Sequence, residues 1–215
     1  MRMATMGAVA LLALTSVTAC DAGDESTGAL DESVSALAVS RSDMVAPLLE
    51  YEGVVGSWGQ TLFCQPGSFV RGFKQKVEGS QGKGDDTAMN ALRFSCYDGD
   101  GDFIESILNE EGPYGGWSPA WSSCPGSDNF VKGARMRIED QQGAGDDTGA
   151  NDLELACSKG GTIVQSNGMR YGEWSAWKLC PANTAVCGTQ VKLDPSQGAG
   201  DDKSLNGLRL RCCRI

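Results

Sequence analysis

A hexapeptide pattern that occurs three times constrains this chain more than any other feature. Gln81-Gly-Lys-Gly-Asp-Asp86 returns as Gln142-Gly-Ala-Gly-Asp-Asp147 and again as Gln197-Gly-Ala-Gly-Asp-Asp202. Asparagine follows at a matching offset (Asn90, Asn151, Asn206), and then a cysteine (Cys96, Cys157, Cys212). Tryptophan and cysteine open each copy, as Trp58 and Cys64, Trp121 and Cys124, Trp177 and Cys180. The two cysteines of a copy lie 32, 33 and 32 positions apart. The repeats run over about 51–111, 112–167 and 168–215. A repeat of this length is one supersecondary unit that buries its apolar face against its neighbours.

Within each copy, apolar residues alternate with period two, the pattern of strands with one buried face. Gln75 and Val77 are expected to point inward, as are Met136 and Ile138, and Val191 and Leu193. The intervening Lys76, Arg137 and Lys192, with Glu78, Glu139 and Asp194, are expected to face water. The closing strands place Leu92, Phe94 and Cys96 inward, then Leu153, Leu155 and Cys157, then Leu208, Leu210 and Cys212. No helical period shows in 51–215, so this part reads as all-β. Twenty-nine glycines supply the tight turns that such short strands need.

The same parity pairs the cysteines. Cys64–Cys96, Cys124–Cys157 and Cys180–Cys212 staple each repeat internally. Cys187 aligns with the outward positions Arg71 and Lys132, and Cys213 lies one step past an inward one, so Cys187–Cys213 forms on the outer face. Because Cys212 and Cys213 are adjacent, Cys180–Cys213 with Cys187–Cys212 stands as the alternative. Each loop of about thirty residues closed in this way contributes roughly 3–4 kcal/mol on the chain-entropy model.

The run Cys64-Gln-Pro-Gly-Ser-Phe-Val-Arg-Gly-Phe73, followed by Lys76-Val-Glu78, the Gly-Asp-Asp-Thr turn and Asn90-Ala-Leu-Arg-Phe-Ser-Cys96, closely resembles the vitelline membrane outer layer protein I family. The resemblance covers about 51–215. It implies a β-prism: three Greek-key sheets around a pseudo-threefold axis, enclosing an apolar core and stapled by disulfides. It also implies an outer-layer structural role, and the extra cysteine pair of the third repeat fits the family. The first repeat departs by carrying one tryptophan where the others carry two, and Gly149 and Ser204 alter the Thr-Ala step after the turn.

The ninth cysteine, Cys20, lies outside the repeats. Residues 1–19 read as an export signal: Arg2 is basic, and the apolar stretch from Met6 to Leu14 is too short to span a bilayer. The signal ends Val17-Thr18-Ala19-Cys20, which resembles a bacterial lipobox and makes Cys20 the lipidated residue, the alternative being ordinary cleavage near Ala19 with Cys20 incidental. Giving Cys20 to lipid leaves eight cysteines to pair in an oxidising compartment. Residues 21–50 have seven acids, one base (Arg41) and no aromatics, and read as a solvated tether after the lipidated Cys20. A lipoprotein on the periplasmic or extracellular side of a membrane is therefore expected, with the lipid as its membrane contact.

Net charge is −10 and histidine is absent. That disfavours nucleic acid and removes the Ser-His, Cys-His and His-zinc chemistries. No cofactor or metal is expected. Asp98-Gly-Asp-Gly-Asp102 fails the calcium-loop pattern, with Phe103 where glycine and Asn109 where glutamate would stand. The aspartate pairs Asp85–Asp86, Asp146–Asp147 and Asp201–Asp202 are candidates for ligand binding or acid–base work on a glycan. Their recurrence in every repeat favours a turn-forming role instead. Trp58, Trp117, Trp121, Trp174 and Trp177 are candidates for stacking on sugar rings, although their place before the strand-opening cysteines favours the core. The leading reading is a surface-anchored, non-catalytic module that binds glycan or helps build an extracellular coat. The alternatives are a carboxylate-dependent glycan hydrolase or transglycosylase, and a protein-interaction domain.

Overall fold

The computed structural model describes residues 40–82, 86–140, 148–195 and 204–215. Residues 1–39, which hold the expected signal, Cys20 and most of the expected tether, and Asp85, Asp146, Asp147, Asp201 and Asp202 lie outside the described residues.

The described chain is built of strands. It enters with β1 (Met44–Glu52). The first repeat then supplies β2 (Ser57–Trp58), β3 (Leu62–Phe63), β4 (Phe69–Val77), β5 (Met89–Tyr97) and β6 (Phe103–Leu108). The second follows the same plan with β7 (Gly116–Trp117), β8 (Ser122–Ser123), β9 (Val131–Ile138), β10 (Ala150–Cys157) and β11 (Thr162–Val164). The third supplies β12 (Glu173–Trp174), β13 (Lys178–Leu179), β14 (Thr184–Asp194) and β15 (Ser204–Arg214).

These strands form three antiparallel five-stranded sheets, and no sheet equals one repeat. The first sheet runs β6-β5-β4-β7, with β8 also on β4; the second runs β11-β10-β9-β12, with β13 on β9. The third runs β1-β15-β14-β2, with β3 on β14. Each repeat therefore lends its two short strands to the sheet before it. The first repeat closes the ring by pairing with the third. β1 takes the edge position on β15 that β6 takes on β5 and β11 on β10.

That placement corrects the reading of 21–50 as tether throughout. Leu49, Glu50, Tyr51 and Glu52 face Leu210, Arg209, Leu208 and Gly207 in the third sheet. Arg41 is buried too. It donates to the carbonyls of Ser68 at 2.7 Å and Gln65 at 3.2 Å, pairs with Asp43, and lies 5.2 Å from the Phe69 ring. The Arg41 guanidinium holds the Asp43 carboxyl below its ordinary range.

The alternating positions meet at the axis. Phe94, Leu92, Met136, Leu153, Leu155, Leu208 and Leu210 are fully enclosed in one cluster fed by all three sheets. Each such side chain contributes about 1.5–3 kcal/mol relative to exposure. Gln75 and Val191 are likewise buried, while Ile138 and Leu193 are only partly so. Lys192 and Asp194, expected in water, are buried. The Lys192 stem lies under the chain entry, and its ammonium reaches Glu52 Oε1 at 2.8 Å and the Gly53 carbonyl at 3.0 Å.

Four disulfides are present: Cys64–Cys96, Cys124–Cys157, Cys180–Cys212 and Cys187–Cys213. The first three do more than close a repeat. Cys64 donates its N–H to the Cys187 carbonyl of the third sheet, whereas Cys96 lies on β5 of the first. Cys124 bonds to Arg71 of the first sheet and Cys180 to Lys132 of the second, while their partners lie one sheet further on. The result is a ring of three bridges between sheets. Cys187–Cys213 stays within the third sheet and is buried rather than surface-exposed. It packs in a second apolar cluster with Phe69, Phe130 and Ala185, where the two phenylalanine rings lie 5.3 Å apart.

Candidate functional site

At the mouth of the first two Gly-Asp-Asp turns, a carboxylate clasps the threonine that follows. Thr87 Oγ1 donates to Glu78 Oε2 at 2.7 Å, and Asn90 Nδ2 donates to Thr87 Oγ1 at 2.6 Å. The second repeat copies this with Thr148, Glu139 and Asn151 at 2.7 and 2.6 Å. Glu78 and Glu139, expected in water, are therefore half-buried parts of the turn. Asp86 is buried, and its Oδ1 accepts the Gln81 N–H at 2.7 Å. In the third repeat Ser204 replaces the clasp by donating to Asn90 Oδ1 at 2.9 Å, which ties two repeats together. The recurring asparagine, unexplained by pattern alone, anchors the turn in the first two repeats, while Asn206 donates to the Val55 carbonyl at 2.9 Å.

The tryptophans are not core residues. All five sit on the outward sides of the sheets: Trp58, Trp117 and Trp174 are partly covered, Trp121 is 39% exposed and Trp177 is 37% exposed. The core is already filled by leucine, phenylalanine and methionine from the long strands. A glycine two residues earlier sets each hairpin. Gly56, Gly115 and Gly172 have φ of +92°, +77° and +72°, and a Cβ on any of them would meet the backbone of Leu193, Val77 or Ile138 within 2.6 Å. Only glycine lets the chain turn so close to the neighbouring strand.

Every indole has a cation beside its face. Arg209 lies 3.8 Å from the Trp58 ring, Arg93 lies 5.5 Å from Trp117 and Lys74 lies 5.8 Å from Trp121. On the second sheet Arg135 lies between Trp174 and Trp177, at 4.7 and 5.1 Å, with Arg137 at 4.9 Å from Trp174. Such contacts contribute about 0.5–1 kcal/mol each at exposed sites. They leave Trp121 and Trp177 partly open to solvent on the outer sides of the sheets. Sequence reasoning missed the cations because they come from strands distant in sequence that meet the tryptophans only in the folded sheets, as Arg137 meets Trp174.

Among the described residues, no three acids or cysteines converge as metal ligands would. Asp152 is the acid pushed above its ordinary value, chiefly by burial. Its Oδ1 accepts the Leu153 N–H at 2.9 Å and faces Gln75 Nε2 at 3.4 Å, with Gly168 packed over the carboxylate. Nearby Glu154 is engaged by Arg135 at 2.5 Å. Neither carboxylate is open to a substrate in the manner of a glycosidase pair. The described geometry thus offers aromatic and cationic contact surface rather than a cleft lined with free acids.

The vitelline membrane outer layer protein I (VOMI) family model matches residues 49–215. Vitelline membrane outer layer protein 1 homolog of Mus musculus is 36% identical over 165 residues, covering 75% of this chain and 79% of the relative. The Homo sapiens homolog is 38% identical over 167 residues, with the same coverage. Among solved structures, artocarpin complexed with Me-alpha-mannose gives a TM-score of 0.52 at 12% identity, covering 80% of this chain and 99% of that one. A mannose-binding jacalin-related lectin from Ananas comosus gives 0.52 at 11%, covering 81% and 100%. At such identity these lectins show the β-prism fold alone. Three stapled sheets around one core and a match across all three repeats place the chain in the vitelline membrane outer layer protein I family.

Proposed function

We propose that this protein is exported, is held at a membrane surface through lipid on Cys20, and acts there without catalysis as a glycan-binding module of an extracellular coat. The observation that carries this reading is the outward display of five tryptophans on rigid sheets, each beside a cation. Apolar sugar faces stack on indole, and guanidinium and ammonium groups supply hydrogen-bond donors to hydroxyls. The mannose-binding titles of the β-prism lectins support the same class of ligand by analogy of fold. Four disulfides suit an oxidising compartment. Among the described residues, no helix is long and apolar enough to cross a membrane.

A glycan array probed with the purified protein tests the reading. Binding to a subset of glycans is expected, reduced by Trp121→Ala and Trp177→Ala, with every glycan recovered intact by mass spectrometry. Cleaved or transferred products would move the protein to the hydrolase and transglycosylase class. Loss of no signal in either variant would remove the tryptophans from the site.

A further inference from the structure

The same cross-strand position carries a different charge arrangement in each sheet. In the second sheet Arg135 faces Glu154 and pairs with it. In the third, Gln190 faces Arg209, and Arg209 in turn faces Glu50 on β1 and pairs with it. In the first sheet Lys74 faces Arg93, two cations directly opposite one another. Like charges so placed destabilise a sheet. The next strand offers Arg93 only Leu108, where Arg209 finds Glu50.

Neither cation is neutralised among the described residues. Lys74 Nζ donates to the Pro119 carbonyl at 3.5 Å, and Arg93 Nε is buried without an acceptor. Trp117 and Trp121 bracket the pair, with Trp121 open to solvent. The outer face of the first sheet thus carries two cations with no acidic partner among the described residues, beside an exposed indole, in a chain of net charge −10. We propose that the outer face of the first sheet is a subsite for an acidic glycan. Lys74 and Arg93 receive its carboxylate or sulfate group while a sugar ring lies against Trp121. The proposal rests on the glycan-binding reading and specifies the ligand class. Charge-assisted contacts are about twice as strong as neutral ones, so the acid group and not the ring sets the preference.

The test uses the full chain in titration calorimetry with oligogalacturonate, its methyl ester, a heparin-derived oligosaccharide and polyaspartate. Wild type is expected to bind one or both acidic glycans about tenfold or more tighter than the ester. Lys74→Gln and Arg93→Gln should each weaken acidic-glycan binding about tenfold and leave ester binding unchanged. Lys159→Gln, which removes an exposed cation elsewhere, should change neither. Lys74→Gln should also raise the melting temperature, since it relieves repulsion, and this separates lost binding from lost fold. Equal binding of acid and ester, or acid binding indifferent to both substitutions, overturns the proposal while the glycan reading stands. Polyaspartate binding as tightly as the glycans also overturns it, in favour of an acidic peptide. No binding to any glycan overturns both readings.

Discussion

Asn109 and Thr189 lie 80 residues apart and join the first sheet to the third: Thr189 Oγ1 donates to Asn109 Oδ1 at 2.7 Å. Asn109 Nδ2 returns to the Thr189 carbonyl at 3.2 Å and the Gln60 carbonyl at 3.3 Å. The gap it fills lies between a long central strand and the two short strands beside it. Gln165 fills the corresponding gap in the first sheet, donating to the carbonyls of Phe73 at 2.6 Å and Ala120 at 3.2 Å. Tyr51 fills it in the second, with its hydroxyl on the Ala134 carbonyl. Each sheet is thus keyed by a polar side chain arriving from its neighbour.

Removing a key should be costly, because it strands buried partners on another sheet. Asn109→Ala is expected to lower unfolding free energy by about 1–3 kcal/mol in urea denaturation. A loss of only a few tenths would mean that the gap rehydrates and that the keys are ornamental.

The bridges between sheets make a second prediction. Replacing Cys124 and Cys157 by serine opens the link from the first sheet to the second and should cost about 2–5 kcal/mol. The strands of each sheet remain paired, so far-UV dichroism should stay native at low temperature while the melting transition falls. A protein that melts as wild type does would show that the prism holds without its ring.

The glycine two residues before Trp58, Trp117 and Trp174 gives a third. Gly115→Ala places a Cβ 2.3 Å from the Val77 carbonyl carbon at φ +77°. The backbone conformation alone costs about 1–2 kcal/mol for an L-residue, and the clash adds to it. Intrinsic fluorescence should report Trp117 leaving its position beside Arg93. Gly67→Ala, with φ +83° and open space around it, should cost only the conformational part.

Much of this fold is written in period two. Leu92, Phe94, Leu153, Leu155, Leu208 and Leu210 sit at the axis because alternate positions of a strand share a face. The exchange of short strands between repeats was not legible, since two-residue strands carry no period and repeat boundaries say nothing about pairing. β1 was hidden by Pro47 and its acidic surroundings. β1 is an edge strand, and its register on β15 shifts between Val45 and Leu49. The tryptophans read as core because they precede the strand-opening cysteines. Their hairpins lie outside the alternation that fills the core, and only the neighbouring strands' cations show what the rings face.

The last prediction turns on Asp152, which is half-buried between the first and second sheets. Burial raises its folded pKa above the ordinary value of 3.8, outweighing the Leu153 N–H and the Gln75 amide, which pull it down. A carboxyl with a raised folded pKa binds its proton more tightly in the native state than in the unfolded chain. Its contribution to stability is therefore fully present below the unfolded value and is lost as pH rises through the folded one. At neutral pH the ionised carboxylate is a cost, although the Arg137 guanidinium offsets part of it. Asp152→Asn removes the charge and keeps the shape and the oxygen that accepts from Leu153. The variant should be more stable than wild type at neutral pH and lose that advantage as pH falls below the ordinary aspartate range. Thermal melts of the two proteins across pH measure this directly. If wild type is the more stable at neutral pH, the ionised Asp152 is a favourable partner of Gln75 and Arg137, and the burial argument fails. Glycan binding should not change in Asp152→Asn, whereas a catalytic acid at this position would lose turnover without regard to the melting temperature.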